Sequence, residues 1–287
     1  MKSLKVITVS PGLSGAGLLS DFFLSRRDFV SPFKNLPSED QQSEFRFISD
    51  PGGLNNLYEG FYKNFSINNS AYVFNEFNLY LGKLKKLKII KNNKKKYLYN
   101  NAFFKEAEIF KKKIISLSYY GLPQFYRLGL NKKEKILWKI SNRFRRAQET
   151  KFFKMVIPVT EKKFINESRK FINKALFALS GKKNFNFIID QGTNFWKPEM
   201  SKIFFPNYKI ILVTRDPRSV FSSMKSRGSL SFPGHDVEVF VKWYDLIMKD
   251  FYKSRKLKNT IAIKYENFII NHNIERKKLL KFVKLKD

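Results

Sequence analysis

Four short runs of apolar and β-branched residues stand out from a chain whose other apolar residues recur mostly at helical spacing. They cover Lys5–Ser10, Phe185–Asp190, Lys209–Thr214 and Thr260–Lys264. Because each run is mostly apolar along its length, and not only at every second position, it is typical of a strand buried on both faces of a parallel sheet. Helical patterns separate the runs, so the sequence predicts a doubly wound α/β fold with a mostly parallel central sheet.

Two of these runs are followed directly by the pattern of a helix. After the first run, the pairs Leu18–Leu19 and Phe22–Phe23 repeat at helical spacing. After the third run, Asp216 and Pro217 supply a capping side chain and a proline suited to the first helical position. The sequence therefore predicts two strand–loop–helix units in the sheet.

The middle of the chain, from about residue 54 to residue 180, has a different pattern. It is rich in Phe, Tyr and Lys at helical spacing and has few strand patterns. We interpret it as a mostly helical insertion in a single domain that covers residues 1–287. The lysine-rich part from Lys83 to Lys96 is predicted to be an exposed helix or loop, with a solvated surface favoured over a binding site.

The formal net charge of +32 is the largest anomaly of the composition. A positive field of this size attracts polyanions, so nucleic acid and anionic membranes are candidate partners of the lysine-rich faces. The abundance of Lys, Asn, Ile and Phe typical of an AT-rich genome explains the charge equally well. The absence of cysteine excludes disulfides and thiolate metal sites, and two histidines leave little material for a zinc site, so we expect no metal.

No apolar run reaches the ~18 residues that a membrane-spanning helix needs. We therefore expect no transmembrane segment and a cytoplasmic protein. Attachment to the surface of a membrane through the positive charge stays open as an alternative.

The loop after the first run is a candidate anion site. Small residues there let backbone N–H groups turn inward, and the helix that follows presents its positive end. The Gly-Lys-Ser/Thr ending of a Walker A loop is missing, and an ordinary strand–helix turn has the same composition. The candidate ligand-binding residues are Gly12, Leu13, Ser14, Gly15, Ala16 and Gly17.

A sharper pattern follows the third run. Arg215 lies at the carboxyl end of the predicted strand, where open α/β sheets bind ligands. Ser223 follows eight residues later in the next predicted helix. An arginine fork and a hydroxyl placed in this way can hold one phosphate group.

With these two elements the sequence resembles the sulfotransferases that depend on 3′-phosphoadenylyl sulfate (PAPS). Arg215 and Ser223 match that family's 3′-phosphate motif, Ser14-Gly15-Ala16-Gly17 occupies the place of its 5′-phosphosulfate loop, and Tyr265-Glu266-Asn267-Phe268 is similar to its Tyr-Glu-Asp-Leu element. The resemblance covers both ends of the chain, about half of it. It implies a P-loop-like nucleotide site and an enzyme that transfers a sulfuryl group from PAPS to a hydroxyl, with a carbohydrate or lipid-linked sugar as the expected acceptor.

Two carboxylates are candidates for the general base that takes the acceptor's proton. Glu44 fits the slot of a Glu-x-x-Phe run found in glycan-type members of the family, although a plain surface carboxylate explains it equally well. Asp190 competes because it ends its strand at the same edge as Arg215. His235, in a Gly/Pro loop, is a weaker candidate.

The chain departs from the family pattern at Leu13, where relatives place Lys or Arg. Ala16 and Gly17 also lack the hydroxyls that contact the 5′-phosphate in relatives. The family's glycine-containing loop is not evident after Tyr265. These departures leave two alternatives to the enzyme: an inactive relative that still binds the nucleotide, and a basic protein that uses the same scaffold to bind nucleic acid or anionic membrane.

Overall fold

The computed structural model describes residues 3–33, 47–91, 94–121, 130–143, 153–182, 185–205, 207–228 and 233–285. The chain divides into two compact units, one made of Met1–Ser49 and Leu176–Asp287 and the other of Asp50–Ala175. That the two units form the single domain expected from the sequence stays a prediction.

The helices and strands follow one another in chain order. The first unit begins with β1 (Lys5–Val9), α1 (Ala16–Leu24) and β2 (Phe29–Val30). The second unit holds α2 (Leu54–Tyr58) with a π-helical turn (Glu59–Lys63), α3 (Ile67–Lys86), β3 (Lys88–Lys91), β4 (Lys94–Tyr97), α4 (Asn101–Lys113), β5 (Ile115–Gly121), α5 (Lys132–Arg143), β6 (Phe153–Pro158) and the greater part of α6 (Glu161–Ser180). The first unit resumes with β7 (Asn186–Asp190), α7 (Pro198–Lys202), β8 (Tyr208–Thr214), α8 (Pro217–Ser226), α9 (Val237–Ser254), β9 (Thr260–Lys264), α10 (Tyr265–Ile270) and α11 (His272–Val283).

The first unit is built on a five-stranded sheet in the order β2-β7-β1-β8-β9. Every pairing in it is parallel. The α/β fold with a mostly parallel central sheet is thus confirmed, and β1, β7, β8 and β9 coincide with the four predicted strands to within one residue at each end. The sequence missed β2, because two paired residues are too short to produce a pattern.

The first unit contains two clusters of buried side chains, one of which packs helices against the sheet. In one, Leu19 and Phe23 of α1 and Leu279 of α11 pack with Val6 of β1. In the other, α8 and α9 pack together through a cluster that includes Val220, Met224, Phe240 and Tyr244. The helix predicted from Asp216-Pro217 is confirmed: the Asp216 carboxylate accepts a hydrogen bond from the Arg218 backbone N–H and caps α8.

The second unit has an aromatic core. Phe77, Phe103, Phe110 and Phe164 are all buried, and the Phe110 ring stacks on Phe171 with 4.8 Å between centroids. Such ring pairs stabilise a fold beyond the apolar area that they bury.

The second unit also contains strands that the sequence did not predict. β5 pairs antiparallel with β6, and β3 pairs antiparallel with β4. The expectation of an exposed helix or loop over Lys83–Lys96 is therefore wrong beyond Lys86, where α3 ends. β3 and β4 escape sequence patterns because five of their eight residues are lysine, a residue that is depleted in strands. Within the described ranges, none of the helices combines the length and apolar character needed to cross a bilayer.

Candidate functional site

The loop between β1 and α1 turns tightly enough to expose backbone N–H groups at the start of the helix. Gly12, Leu13 and Gly15 all have positive φ, at 47°, 50° and 87°. α1 begins at Ala16, and its N-cap residue, Gly15, has no side chain that could cap the first N–H groups. The loop can therefore offer backbone donors and the positive end of the helix to an anion.

The hydroxyl of Ser14 faces into this loop. The side chain is fully buried, and Oγ lies 3.1 Å from the Pro11 carbonyl oxygen and 3.0 Å from that of Gly12. Because a hydroxyl has a single proton to donate, that proton is used within the loop. The Ser14 hydroxyl therefore holds the loop in shape.

Arg215, directly after β8, bridges the loop and helix α8. Its Nη1 donates to the Leu13 carbonyl oxygen and to Ser223 Oγ, at 3.4 Å each. Both contacts are at the long limit for a hydrogen bond. Among the described residues Nε and Nη2 have no acceptor, so three of the five N–H donors of the guanidinium remain for a ligand.

The ring of Tyr265 fixes Arg215 from one side. The Arg215 guanidinium carbon lies 4.8 Å from the centroid of that ring, a cation–π contact. The same ring packs against Gly15, where an added Cβ would collide with Cδ2 and lie 2.6 Å from Cε2. Gly15 thus serves two purposes, a left-handed turn and room for the tyrosine.

The residues next to Arg215 and Tyr265 anchor the backbone at this point. The Asp216 backbone N–H donates to Glu266 Oε1 at 2.8 Å, and the Tyr244 hydroxyl donates to the Arg215 carbonyl oxygen at 2.8 Å. Burial, with a smaller contribution from the Glu266 charge, raises the pKa of Tyr244 to about 12. The tyrosine therefore stays a neutral donor at physiological pH.

Asp190 ends β7 at the same edge of the sheet. Its Oδ1 accepts hydrogen bonds from Thr8 Oγ1 at 2.7 Å and from the Gln191 backbone N–H at 3.1 Å. Gln191, at φ 49°, donates from Nε2 to Ser10 Oγ at 3.1 Å. This strained residue ties the end of β7 to the beginning of the loop.

The loop after β1, the end of β7, Arg215, Ser223 and Tyr265 line one cavity of about 240 Å³. Of the predicted site residues, it brings together Leu13, Ser14, Gly15, Ala16, Gly17, Asp190, Arg215 and Ser223. Gly12 shapes the loop and is not part of the lining. A second cavity, of about 810 Å³, shares Arg215 and is also lined by Thr214, Tyr244 and Asn267.

Of the other two candidate bases, the structure describes only His235. Glu44 lies outside the described residues. His235 is exposed and is not among the residues that line the smaller cavity. Across the described ranges, no group of three or more His, Asp or Glu side chains is arranged to hold a metal ion.

Sequence reasoning missed five residues that line the smaller cavity: Ser10, Leu18, Gln191, Arg227 and Tyr265. Arg227 lies four residues after Ser223, the spacing of one helix face, so its place could have been read from the sequence. Tyr265 belongs to the Tyr-Glu-Asn-Phe element, but its contact with Gly15 joins residues 250 positions apart and leaves no local pattern.

Comparisons with known proteins point to one family. A sequence model described as the sulfotransferase family matches residues 136–287, more than half of the chain. The match contains Asp190, Arg215, Ser223 and Tyr265, while the loop after β1 lies outside it. A comparison with curated protein sequences gives no significant match.

Three of the solved structures that match this chain are sulfotransferases. A sulfotransferase domain from the curacin biosynthetic pathway superposes with a TM-score of 0.44 at 13% identity, over 100% of this chain and 75% of that one. The sulfotransferase STF1 of Mycobacterium tuberculosis gives 0.42 at 9% identity, over 99% and 68% of the two chains. STF9 of Mycobacterium avium gives 0.43 at 8% identity, over 99% of this chain and 64% of that chain.

The contact between Gly15 and Tyr265 can be tested by adding one methyl group. Gly15→Ala should lower the free energy of unfolding by about 1–2 kcal/mol for the positive φ and by a further ~1–3 kcal/mol for the collision with the ring. Gly181→Ala is the matched control, because Gly181 also has positive φ, at 66°, but nothing lies within 4 Å of its added Cβ. Denaturant unfolding of both variants measures the difference, and equal losses would contradict the packing described here.

Proposed function

This chain belongs to the sulfotransferase family, and from that premise we propose that it takes a sulfuryl group from PAPS and transfers it to a hydroxyl of a carbohydrate or lipid-linked sugar. The observation that carries the choice of donor is the joint position of Arg215 and Ser223 in one cavity with the loop after β1. Such a site can hold two phosphate groups of one ligand at once.

The residues of the cavity suit the two ends of this donor. Arg215, with unused donors on Nε and Nη2, and Ser223 bind the 3′-phosphate. The backbone N–H groups of residues 14–17 and the start of α1 bind the 5′-phosphosulfate. A cavity of about 240 Å³ is small for a whole nucleotide, so the nucleoside extends into the 810 Å³ cavity that shares Arg215.

The donor supplies an activated sulfuryl group, and the protein supplies position and charge. The acceptor oxygen forms a bond to sulfur while the bond from sulfur to the 5′-phosphate oxygen breaks. The N–H donors around the loop stabilise the negative charge that develops on the leaving phosphate. The acceptor's proton passes to a carboxylate of the protein.

We infer that this carboxylate is Glu44 or Asp190. Asp190 lines the cavity, and two hydrogen bonds to Oδ1 fix its orientation. That placement supports Asp190, whereas the proposal for Glu44 rests on its resemblance to the family's Glu-x-x-Phe run.

Binding of nucleotides tests the donor. Wild-type protein should bind 3′-phosphoadenosine 5′-phosphate more tightly than ADP in a calorimetric titration, since both carry two phosphates but only the first has one on the 3′ oxygen. Arg215→Ala should remove this preference, with a loss of about tenfold or more for the 3′-phosphorylated nucleotide.

Arg218→Ala is the control for this titration. The Arg218 side chain is 90% exposed and is part of the lining of neither cavity, so its loss removes one charge that makes no proposed contact with the nucleotide. Wild-type protein with no preference between the nucleotides, together with tight binding to DNA that weakens steeply with salt, would favour a basic binding protein instead.

Turnover distinguishes the two candidate bases. The two variants are Asp190→Asn and Glu44→Gln. The variant that removes the general base should transfer sulfate from radiolabelled PAPS to a carbohydrate acceptor about a hundredfold or more slowly. The affinity for 3′-phosphoadenosine 5′-phosphate should stay nearly unchanged, because each change keeps size and shape. Glu238→Gln, an exposed carboxylate in the first turn of α9, is the control. Unchanged turnover in both Asp190→Asn and Glu44→Gln would refute the assignment.

A further inference from the structure

The smaller cavity contains a second arginine. Among the described residues that line it, Arg215 and Arg227 are the two that carry a positive charge. Arg227 directly follows the last residue of α8 and its backbone N–H donates to the Ser223 carbonyl oxygen at 3.3 Å. Leu13, which stands in the loop of the same cavity, brings no charge.

Helix geometry points Arg227 toward Ser223. Residues four apart lie on the same face of a helix, and long side chains on a helix lean back toward its N-terminus. The Arg227 side chain therefore extends over the turn that carries Ser223, which already accepts a hydrogen bond from Arg215. Arg215, Ser223 and Arg227 all line the same cavity.

In the part of the chain that the structure describes, the Arg227 guanidinium makes no hydrogen bond, ion pair or ring contact. Two guanidinium groups that share one small cavity repel each other unless an anion lies between them. Each planar fork matches the oxygens of a phosphate group. The arrangement is thus suited to one phosphate held from two sides.

We propose that Arg227 is a third ligand of the phosphate group held by Arg215 and Ser223, and that it determines the preference of the site for a 3′-phosphorylated nucleotide. The proposal rests on the function proposed above and adds to it a residue that selects the donor. Arg227, directly after α8, brings to the cavity a positive charge that the loop after β1 does not carry.

The test compares two positive charges at the same end of α8. Arg227→Ala removes the proposed ligand, and Lys225→Ala removes a charge that is exposed, lies in the last turn and is not part of the cavity lining. Both variants and the wild type are titrated with 3′-phosphoadenosine 5′-phosphate and with ADP at one salt concentration. Lys225→Ala also controls for the favourable effect of any cation at the carboxyl end of a helix.

Arg227→Ala should weaken binding of 3′-phosphoadenosine 5′-phosphate by about tenfold or more and that of ADP by less than about twofold. Lys225→Ala should change both affinities by less than about twofold. Arg227→Lys should recover part of the loss, because it restores the charge without the fork. Arg227→Gln, which keeps most of the side chain, replaces Arg227→Ala in the titrations if the alanine variant does not fold.

Three results would overturn the proposal. Unchanged affinities in Arg227→Ala, with the wild-type preference intact, would refute the role of Arg227 alone. An equal loss for both nucleotides would show that Arg227 acts through its general field or at the other phosphate. A wild-type protein without any preference for the 3′-phosphorylated nucleotide would refute the proposed donor, and the role of Arg227 with it.

Discussion

The parallel pairing of β1 with β8 brings the parts of the candidate site together. The register runs from Lys5 opposite Tyr208 to Val9 opposite Leu212, so both strands reach the same edge of the sheet. An antiparallel arrangement would separate the two carboxyl ends by the length of a strand, about 16 Å for five residues. Only in the parallel sheet can Arg215, just beyond β8, contact the Leu13 carbonyl oxygen in the loop that follows β1.

The parallel pairing of β9 with β8 adds Tyr265 to the site. β9 pairs in parallel with β8 and ends at Lys264, so Tyr265 arrives beside Arg215 and places its ring against the guanidinium and against Gly15. Arg215 is thereby oriented by a ring contact and by two long hydrogen bonds. A charge that is already oriented loses little conformational entropy when a phosphate binds, which favours affinity. The burial of Ser14 and the bond from Gln191 to Ser10 hold the opposite side of the cavity in the same manner.

The sequence predicted the parts of this site that depend on local patterns. Continuous apolar runs identified the four main strands, and the spacing of Arg215 and Ser223 in a strand–loop–helix unit identified two residues that share the cavity. It did not predict that the Ser14 hydroxyl turns into its own loop or that Tyr265 packs on Gly15, because these depend on the fold of residues far apart along the chain. The identity of the general base stays a prediction.

The most direct test of the account is a crystal structure of the protein with 3′-phosphoadenosine 5′-phosphate. The account predicts that the 3′-phosphate lies about 3 Å from the guanidinium of Arg215 and the hydroxyl of Ser223, with the 5′-phosphate on the backbone N–H groups of residues 14–17. A nucleotide bound outside this cavity, or one with its 5′-phosphate on Arg215 and Ser223, would contradict it.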